Sequence, residues 1–316
     1  MMVVLTGGTG GAKFVDALRR LLPERKLTLV VNTGDDLVWW GLHVSPDLDS
    51  IMYVLAGILS KDRGWGVDQD TFECAEAMRR MGAPAWFRVG DRDLATHLTR
   101  TQLLASEQTL TQATAQIAAA LGAQARILPM SDERVETRVT TPEGELAFQE
   151  YFVRERYRPE VRAVRFVGAE QAKPAPGVLE AINNAKAVVL APSNPITSIG
   201  PILAVPGIRE ALQKTPATVA AISPIVGGAA VSGPAGALMA ARGLPVSVAG
   251  VAQAYQDFLD LLIVDERDAE AAKALRSSGL QVHCAHTIMK TADDKAALAA
   301  AVLELVARSA ARPVSS

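Results

Sequence analysis

The chain opens with Met2-Val3-Val4-Leu5-Thr6, stops in Gly7-Gly8-Thr9-Gly10-Gly11 and restarts as a helical stretch near Ala12. A strand that is apolar at successive positions has no wet face, which places it inside a parallel sheet covered by helices on both sides. A glycine turn lets backbone N–H groups approach an anion, and the helix that follows adds the positive end of its dipole. These three pieces in a row direct the chain into the α/β class. They make Gly7, Gly8, Thr9 and Gly10 candidate nucleotide-binding residues. The spacing excludes two familiar forms of the motif. Lys13 lies between Ala12 and Phe14, so the Gly-Lys-Ser/Thr of a P-loop is missing, and Gly8-x-Gly10 meets Lys13 where the last glycine of the dinucleotide fingerprint belongs.

Leu27-Thr28-Leu29-Val30-Val31-Asn32 is a second buried strand and completes a strand–helix–strand unit. The same grammar returns at Ala187-Val188-Val189-Leu190-Ala191, Thr218-Val219-Ala220-Ala221-Ile222, Val246-Ser247-Val248 and Leu261-Leu262-Ile263-Val264. The expected architecture is a Rossmann-like, doubly wound, mainly parallel sheet forming a single domain over residues 1–316. Residues 48–125 show helical periodicity and read as a helical insertion. Arg134 to Val139 and Gly144 to Phe148, joined by Thr141-Pro142-Glu143, alternate with period two and read as a small β-hairpin. Asp294 to Ala310 reads as a closing helix and residues 311–316 as a frayed tail.

A net charge of -2 leaves no global basic field, which argues against nucleic acid or an anionic membrane as the partner and in favour of small molecules. The apolar stretches are strand-sized, short of the roughly 20 residues a membrane span needs, and a cytoplasmic protein is expected. Cys74 and Cys284 lie far apart and read as buried free thiols.

The loops expected at the strand ends hold the residues with chemistry. Asn32-Thr33-Gly34-Asp35-Asp36 is followed by Ser45-Pro46-Asp47-Leu48-Asp49-Ser50. Asp47 or Ser45 suits a helix cap, while two acidic clusters one loop apart suit magnesium, which favours carboxylate and phosphate oxygens. In Phe87-Arg88-Val89-Gly90-Asp91-Arg92-Asp93-Leu94-Ala95-Thr96-His97, the alternating charges either neutralise one another on the surface or present Arg88 or Arg92 to a phosphate or ring carbonyl. A third loop, Ala191-Pro192-Ser193-Asn194-Pro195-Ile196-Thr197-Ser198-Ile199-Gly200-Pro201, offers Ser193 and Asn194 as a second anion or base contact. Glycine-rich loops at 223–228 and 231–236 repeat the theme.

Taken together, Gly7-Gly8-Thr9-Gly10, Ser45-Pro46-Asp47-Leu48-Asp49, Gly90-Asp91-Arg92-Asp93-x-Ala95-Thr96-His97, Leu128-Pro129-Met130-Ser131-Asp132, the 193–201 loop, Ser232-Gly233-Pro234-Ala235, Tyr255-Gln256-Asp257-Phe258-Leu259-Asp260 and Asp265-Glu266-Arg267-Asp268 resemble the 2-phospho-L-lactate transferase family of coenzyme F420 biosynthesis. The likeness runs from residue 2 to about 305. It implies a transferase that moves a phospholactyl or enolpyruvyl phosphate group from a guanosine diphosphate-linked donor to the ribityl hydroxyl of 7,8-didemethyl-8-hydroxy-5-deazariboflavin. GMP is released, magnesium assists, and a homodimer is expected. In that family an aspartate and an arginine bind the deazaflavin, and they match Asp49 and Arg88 here. Gly7 to Gly10 and Ser193-Asn194 are then the nucleotide candidates, and Asp49 with Asp35 or Asp36 the metal candidates, Asp36 being preferred. Asp49 alternatively orients or deprotonates the acceptor hydroxyl. The rival readings are a nucleotide-sugar-binding regulatory protein of the same fold family and an NAD-dependent oxidoreductase. The second is disfavoured by the broken fingerprint and by Asn32 where an acidic ribose ligand belongs.

Overall fold

The computed structural model describes residues 1–310, so the tail at 311–316 lies outside the described residues. Seven strands form the central sheet, named here in chain order: β1 (Met2–Thr6), β2 (Leu27–Val31), β3 (Arg126–Pro129), β4 (Ala187–Leu190), β5 (Thr218–Ile222), β6 (Leu261–Asp265) and β7 (Gln281–Ala285). Their spatial order is β7-β6-β5-β4-β1-β2-β3, with every neighbouring pair parallel. The chain winds outward from β1 through β2 to β3, then returns to lay β4 on the other side of β1. The sheet therefore has a topological switch point between β1 and β4, the place at which open α/β sheets carry their ligand crevice.

Strands β1, β2, β4, β5 and β6 are buried on both faces, and alternate residues feed two separate cores. Val3, Leu5, Val188, Leu190 and Leu262 point into one layer; Val4, Val189, Ala220 and Ile263 point into the other. On the second face, α1 (Gly8–Leu21) packs Phe14 and Leu18 against α2 (Pro46–Ala56) and the closing helix Ala292–Ala310, which contributes Leu298 and Val302. Pro46 at the first position of α2 supplies a preset φ where a backbone N–H has no helical acceptor.

The excursion between β2 and β3 carries α2, α3 (Glu73–Arg80), α4 (Asp91–Ala105) and α5 (Leu110–Ala120), as the helical periodicity implies. It begins earlier than residue 48, because Leu37–Trp39 and Leu42–Val44 pair antiparallel around the tight turn at Trp40-Gly41. The hairpin of Glu136–Thr141 with Gly144–Ala147 is present and gains a third strand, Ala163–Val167. Val246 to Val248 is not a strand: Ser247 caps the helix Val248–Ala254, its hydroxyl accepting from Gly250 N at 3.3 Å. Neither cysteine is fully buried. Cys74 is exposed on α3, a helix with no buried residue, and Cys284 is half-buried on the edge strand β7.

Candidate active site

The crevice at the switch point widens into a cleft of about 780 Å³. Gly7, Gly8, Thr9 and Gly10 line it from the end of β1, Ser193 and Asn194 from the end of β4, and Asp49 and Arg88 from the helical excursion. All eight substrate-binding candidates read from the sequence therefore face one space. Of the two metal candidates Asp49 lines the cleft and Asp36 stands behind it, held by Ser45 Oγ at 2.5 Å and His43 Nε2 at 3.0 Å.

The glycine turn is tighter than its sequence suggests. Helix α1 starts at Gly8 rather than near Ala12, and no side chain caps it at Gly7. A Cβ on Gly10 would sit 2.3 Å from Pro192 O, and one on Gly11 2.1 Å from Thr6 Oγ1. Ser193 Oγ donates to Gly7 O at 2.7 Å. The glycines thus serve the contact between the loops of β1 and β4, which locks the crevice floor. The nearest anion to the turn is internal: Gly8 N donates to Asp47 Oδ1 at 2.7 Å, and Asn32 Nδ2 to Asp47 Oδ2 at 2.9 Å.

Three carboxylates crowd this floor. Burial pushes the Asp47 carboxyl up to about 6, against the pull of its bonds from Asn32 and Gly8, while Asp36 and Asp49 add repulsion. Burial, then Asp47 and Asp36, hold Asp35 well above the ordinary range. Asp36 is also raised by burial, with His43 and Ser45 opposing the shift. Asp35 Oδ1 and Asp36 Oδ1 are buried without a hydrogen-bond partner. Among the described residues, no three His, Cys, Asp or Glu side chains converge as a preformed metal cage.

Asp49 has a different environment. Arg100, completely buried on α4, spans both of its oxygens: Nη1 lies 3.3 Å from Oδ2, and Nη2 is bonded to Oδ1. Burial works against the charge on Arg100, and the Asp49 carboxylate outweighs it, raising the guanidinium's pKa. His97 stands between two carboxylates, Nδ1 3.5 Å from Asp49 Oδ2 and Nε2 3.5 Å from Asp93 Oδ1. Tyr53 donates to Asp93 at 2.6 Å. Burial pushes the Asp93 carboxyl up, but His97, Tyr53 and Arg100 outweigh it and hold it below the ordinary value. Asp93, His97 and Arg100 recur at i, i+4 and i+7, one face of α4. That spacing is the signal from which Arg100 was legible, and sequence reading missed it.

The alternating Arg/Asp block does not neutralise itself. Asp91 accepts from Thr71 Oγ1 and the N–H groups of Glu73 and Cys74, capping α3, and Arg92 turns to Asp68 O. Arg88 is exposed at the cleft, its guanidinium 4.2 Å from the Phe72 ring centroid. Trp65, Trp86, Phe87, Phe148 and Phe152 line the same cleft, an aromatic wall in a chain with only 5% aromatic residues. Phe148 and Phe152 stack at 5.5 Å, and Arg154 bridges the wall by lying 5.7 Å from the Trp86 ring.

Fold and site together define a Rossmann-like α/β protein with a switch-point cleft that joins a glycine turn, a carboxylate group and an aromatic wall. The profile of the family described as 2-phospho-L-lactate transferase CofD matches residues 2–304, and the chain belongs to that family. It is 43% identical over 303 residues to a 2-phospho-L-lactate transferase from Methanosarcina mazei, covering 96% of this chain and 99% of that protein. It is 46% identical over 310 residues to a phosphoenolpyruvate transferase from Streptomyces griseus, covering 96% and 98%. A crystal structure of a upf0052-family protein from Bacillus halodurans has the same fold, with a TM-score of 0.65 at 17% identity, covering 96% of this chain and 99% of that one. No helix among the described residues is long and apolar enough to cross a membrane.

Proposed function

We propose that this transferase moves a phospholactyl or phosphoenolpyruvyl group from a guanosine diphosphate-linked donor to the primary ribityl hydroxyl of the deazariboflavin precursor of coenzyme F420, releasing GMP. The observation that carries the reading is the convergence, in one cleft, of the β1 and β4 loops with the Asp49–Arg100 pair, Arg88 and the aromatic wall. A flat tricyclic ring suits that wall, since aromatic faces stack at low cost in ordering. Arg88 would hold the acceptor by a charged hydrogen bond, and the N–H groups of Gly8 to Gly10 with Ser193 and Asn194 would hold the nucleotide half of the donor.

The acceptor oxygen forms a bond to the phosphorus nearer the three-carbon acid, the bond from that phosphorus to the GMP oxygen breaks, and the hydroxyl proton is released to solvent. Such transfers depend mainly on alignment and on neutralisation of charge. Asp49 suits alignment. With both oxygens held by a buried guanidinium, its carboxyl is fixed in place as an acceptor for the ribityl O–H. Of the two roles open to it in sequence, orienting the hydroxyl is the one this geometry supports.

Magnesium fits the carboxylate floor, because the unpartnered oxygens of Asp35 and Asp36 and the repulsion around Asp47 are what a hard cation relieves. Asp35 and Asp36 would hold it, since Asp47 spends its oxygens on Gly8 N and Asn32 Nδ2 and Asp49 spends both on Arg100, and it would supply charge neutralisation to phosphate oxygens. A homodimer and a cytoplasmic location belong to the same proposal. The test is turnover of the deazariboflavin precursor with each synthetic donor, read as GMP release. Turnover that requires both substrates supports the reading. Tight nucleotide-sugar binding without transfer would replace it with the regulatory one.

A further inference from the structure

The loop after β4 has a second face. Asn194 locks it as a unit, its side-chain oxygen accepting from Ile196 N at 2.9 Å and its carbonyl from Ser198 N and Ile199 N, each at 3.0 Å. Ser193, Asn194 and Thr197 face the large cleft, whereas Pro195 and Ile196 turn the other way and line a separate cavity of about 350 Å³. That cavity is closed by Leu203, by Phe166 from the antiparallel sheet, and by Tyr255 at the end of the helix Val248–Ala254.

Two guanidiniums reach it. Arg209 is committed to Asp257 through Nε and Nη2, with Ala254 O as a further acceptor, which leaves Nη1 without a hydrogen-bond partner among the described residues. Arg242 is exposed, donates only to Val164 O at 3.3 Å, lies 6.0 Å from the Phe166 ring centroid and has no carboxylate partner among the described residues. An arginine without a counter-ion beside an aromatic ring, at the mouth of a cavity whose lining apart from Arg209 and the Tyr255 phenol is apolar, matches a ligand with one anionic end and one apolar body.

We infer that this cavity is a second small-molecule site, taking a compact aryl or acyl phosphate or carboxylate whose anionic group meets Arg242 and whose body packs on Ile196, Leu203 and Phe166. It stands apart from the transferase cleft and does not depend on which reaction the cleft performs. Its volume is near the lower limit of small-ligand pockets, which suits a compact ligand.

Phenyl phosphate is the probe. It is titrated into the full chain carrying 13C-labelled Ile, Leu and Met methyl groups, up to about 5 mM, the range of weak single-contact affinities. Saturable shifts are expected at Ile196 and Leu203, while Ile288 and Met289 report separately on any binding of the probe in the large cleft. Arg242→Glu, a surface change, is expected to weaken the titration at Ile196 and Leu203 at least about tenfold, the value of one charged hydrogen bond. The absence of saturable shifts at these two residues would overturn the inference, as would a titration that Arg242→Glu leaves unchanged.

Discussion

A carboxylate buried as deeply as Asp49 needs a permanent cation, and Arg100 supplies it from the neighbouring helix. Removing one member strands the other, so Arg100→Met is expected to cost about 3–5 kcal/mol in urea unfolding, and the double variant Arg100→Met/Asp49→Leu to recover most of it. If the double variant is as unstable as the single one, the pair is not what Arg100 is buried for. The same logic makes Asp49→Asn a poor probe of chemistry, because it leaves Arg100 buried and unpaired. Arg88 is the cleaner residue. It is exposed, so Arg88→Ala should leave stability within about 0.5 kcal/mol while transfer falls sharply. Wild-type-like turnover would remove Arg88 from the site. Asp47 carries a pH signature. Its carboxyl titrates near 6 in the fold against an ordinary 3.8, so between these values the native state holds a proton that the unfolded chain has lost. That contribution destabilises the fold as pH rises from about 4 to about 6, by up to about 3 kcal/mol. Without divalent metal, the stability of Asp47→Asn relative to wild type should therefore increase from pH 4 to pH 7; a flat difference would contradict the raised value.

At the scale of elements, the glycine turn and the β4 loop are one device. Gly10→Val would drive a side chain into the Pro192 carbonyl, so it should lower the melting temperature and weaken GDP binding together. A variant that melts like wild type but has lost GDP would show that Gly10 serves the ligand alone. The sequence showed this turn, the β4 loop and the strands β1, β2, β4, β5 and β6, because a buried parallel strand writes itself as an uninterrupted apolar run. β3 and β7 escaped notice, being short edge strands with exposed Arg126, Gln281 and His283. Ala163–Val167 escaped for a similar reason: three of its five residues are exposed, and its register comes from the strand it pairs with. Val246 to Val248 misled because β-branched residues favour a strand locally, and the cap at Ser247 overrides them. In the cleft, the loop residues could be placed from sequence because glycine, serine and asparagine directly after a buried parallel strand fall at the sheet's carboxyl edge. Asp47 read equally well as a cap, and Arg100 lay three residues beyond the block that drew attention. Only the tertiary fold turns both inward.

At the scale of the whole molecule, the winding order explains why residues as distant as Gly8, Asp49, Arg88 and Ser193 share a space. Parallel strands point their carboxyl ends the same way, and the winding reverses between β1 and β4, which sets the crevice there. The long excursion between β2 and β3 then folds back over that gap and brings the acidic floor and most of the aromatic wall to it. The central claim is that this wall and Arg88 form the acceptor site. The direct measurement is a fluorescence titration of the deazariboflavin precursor into wild type and Arg88→Ala, with GDP and magnesium present and folding of both confirmed by melting. The account predicts saturable binding to wild type, weakened about tenfold or more in the variant, as the loss of a charged hydrogen bond requires. Equal binding by the two proteins, or none by wild type, would contradict it.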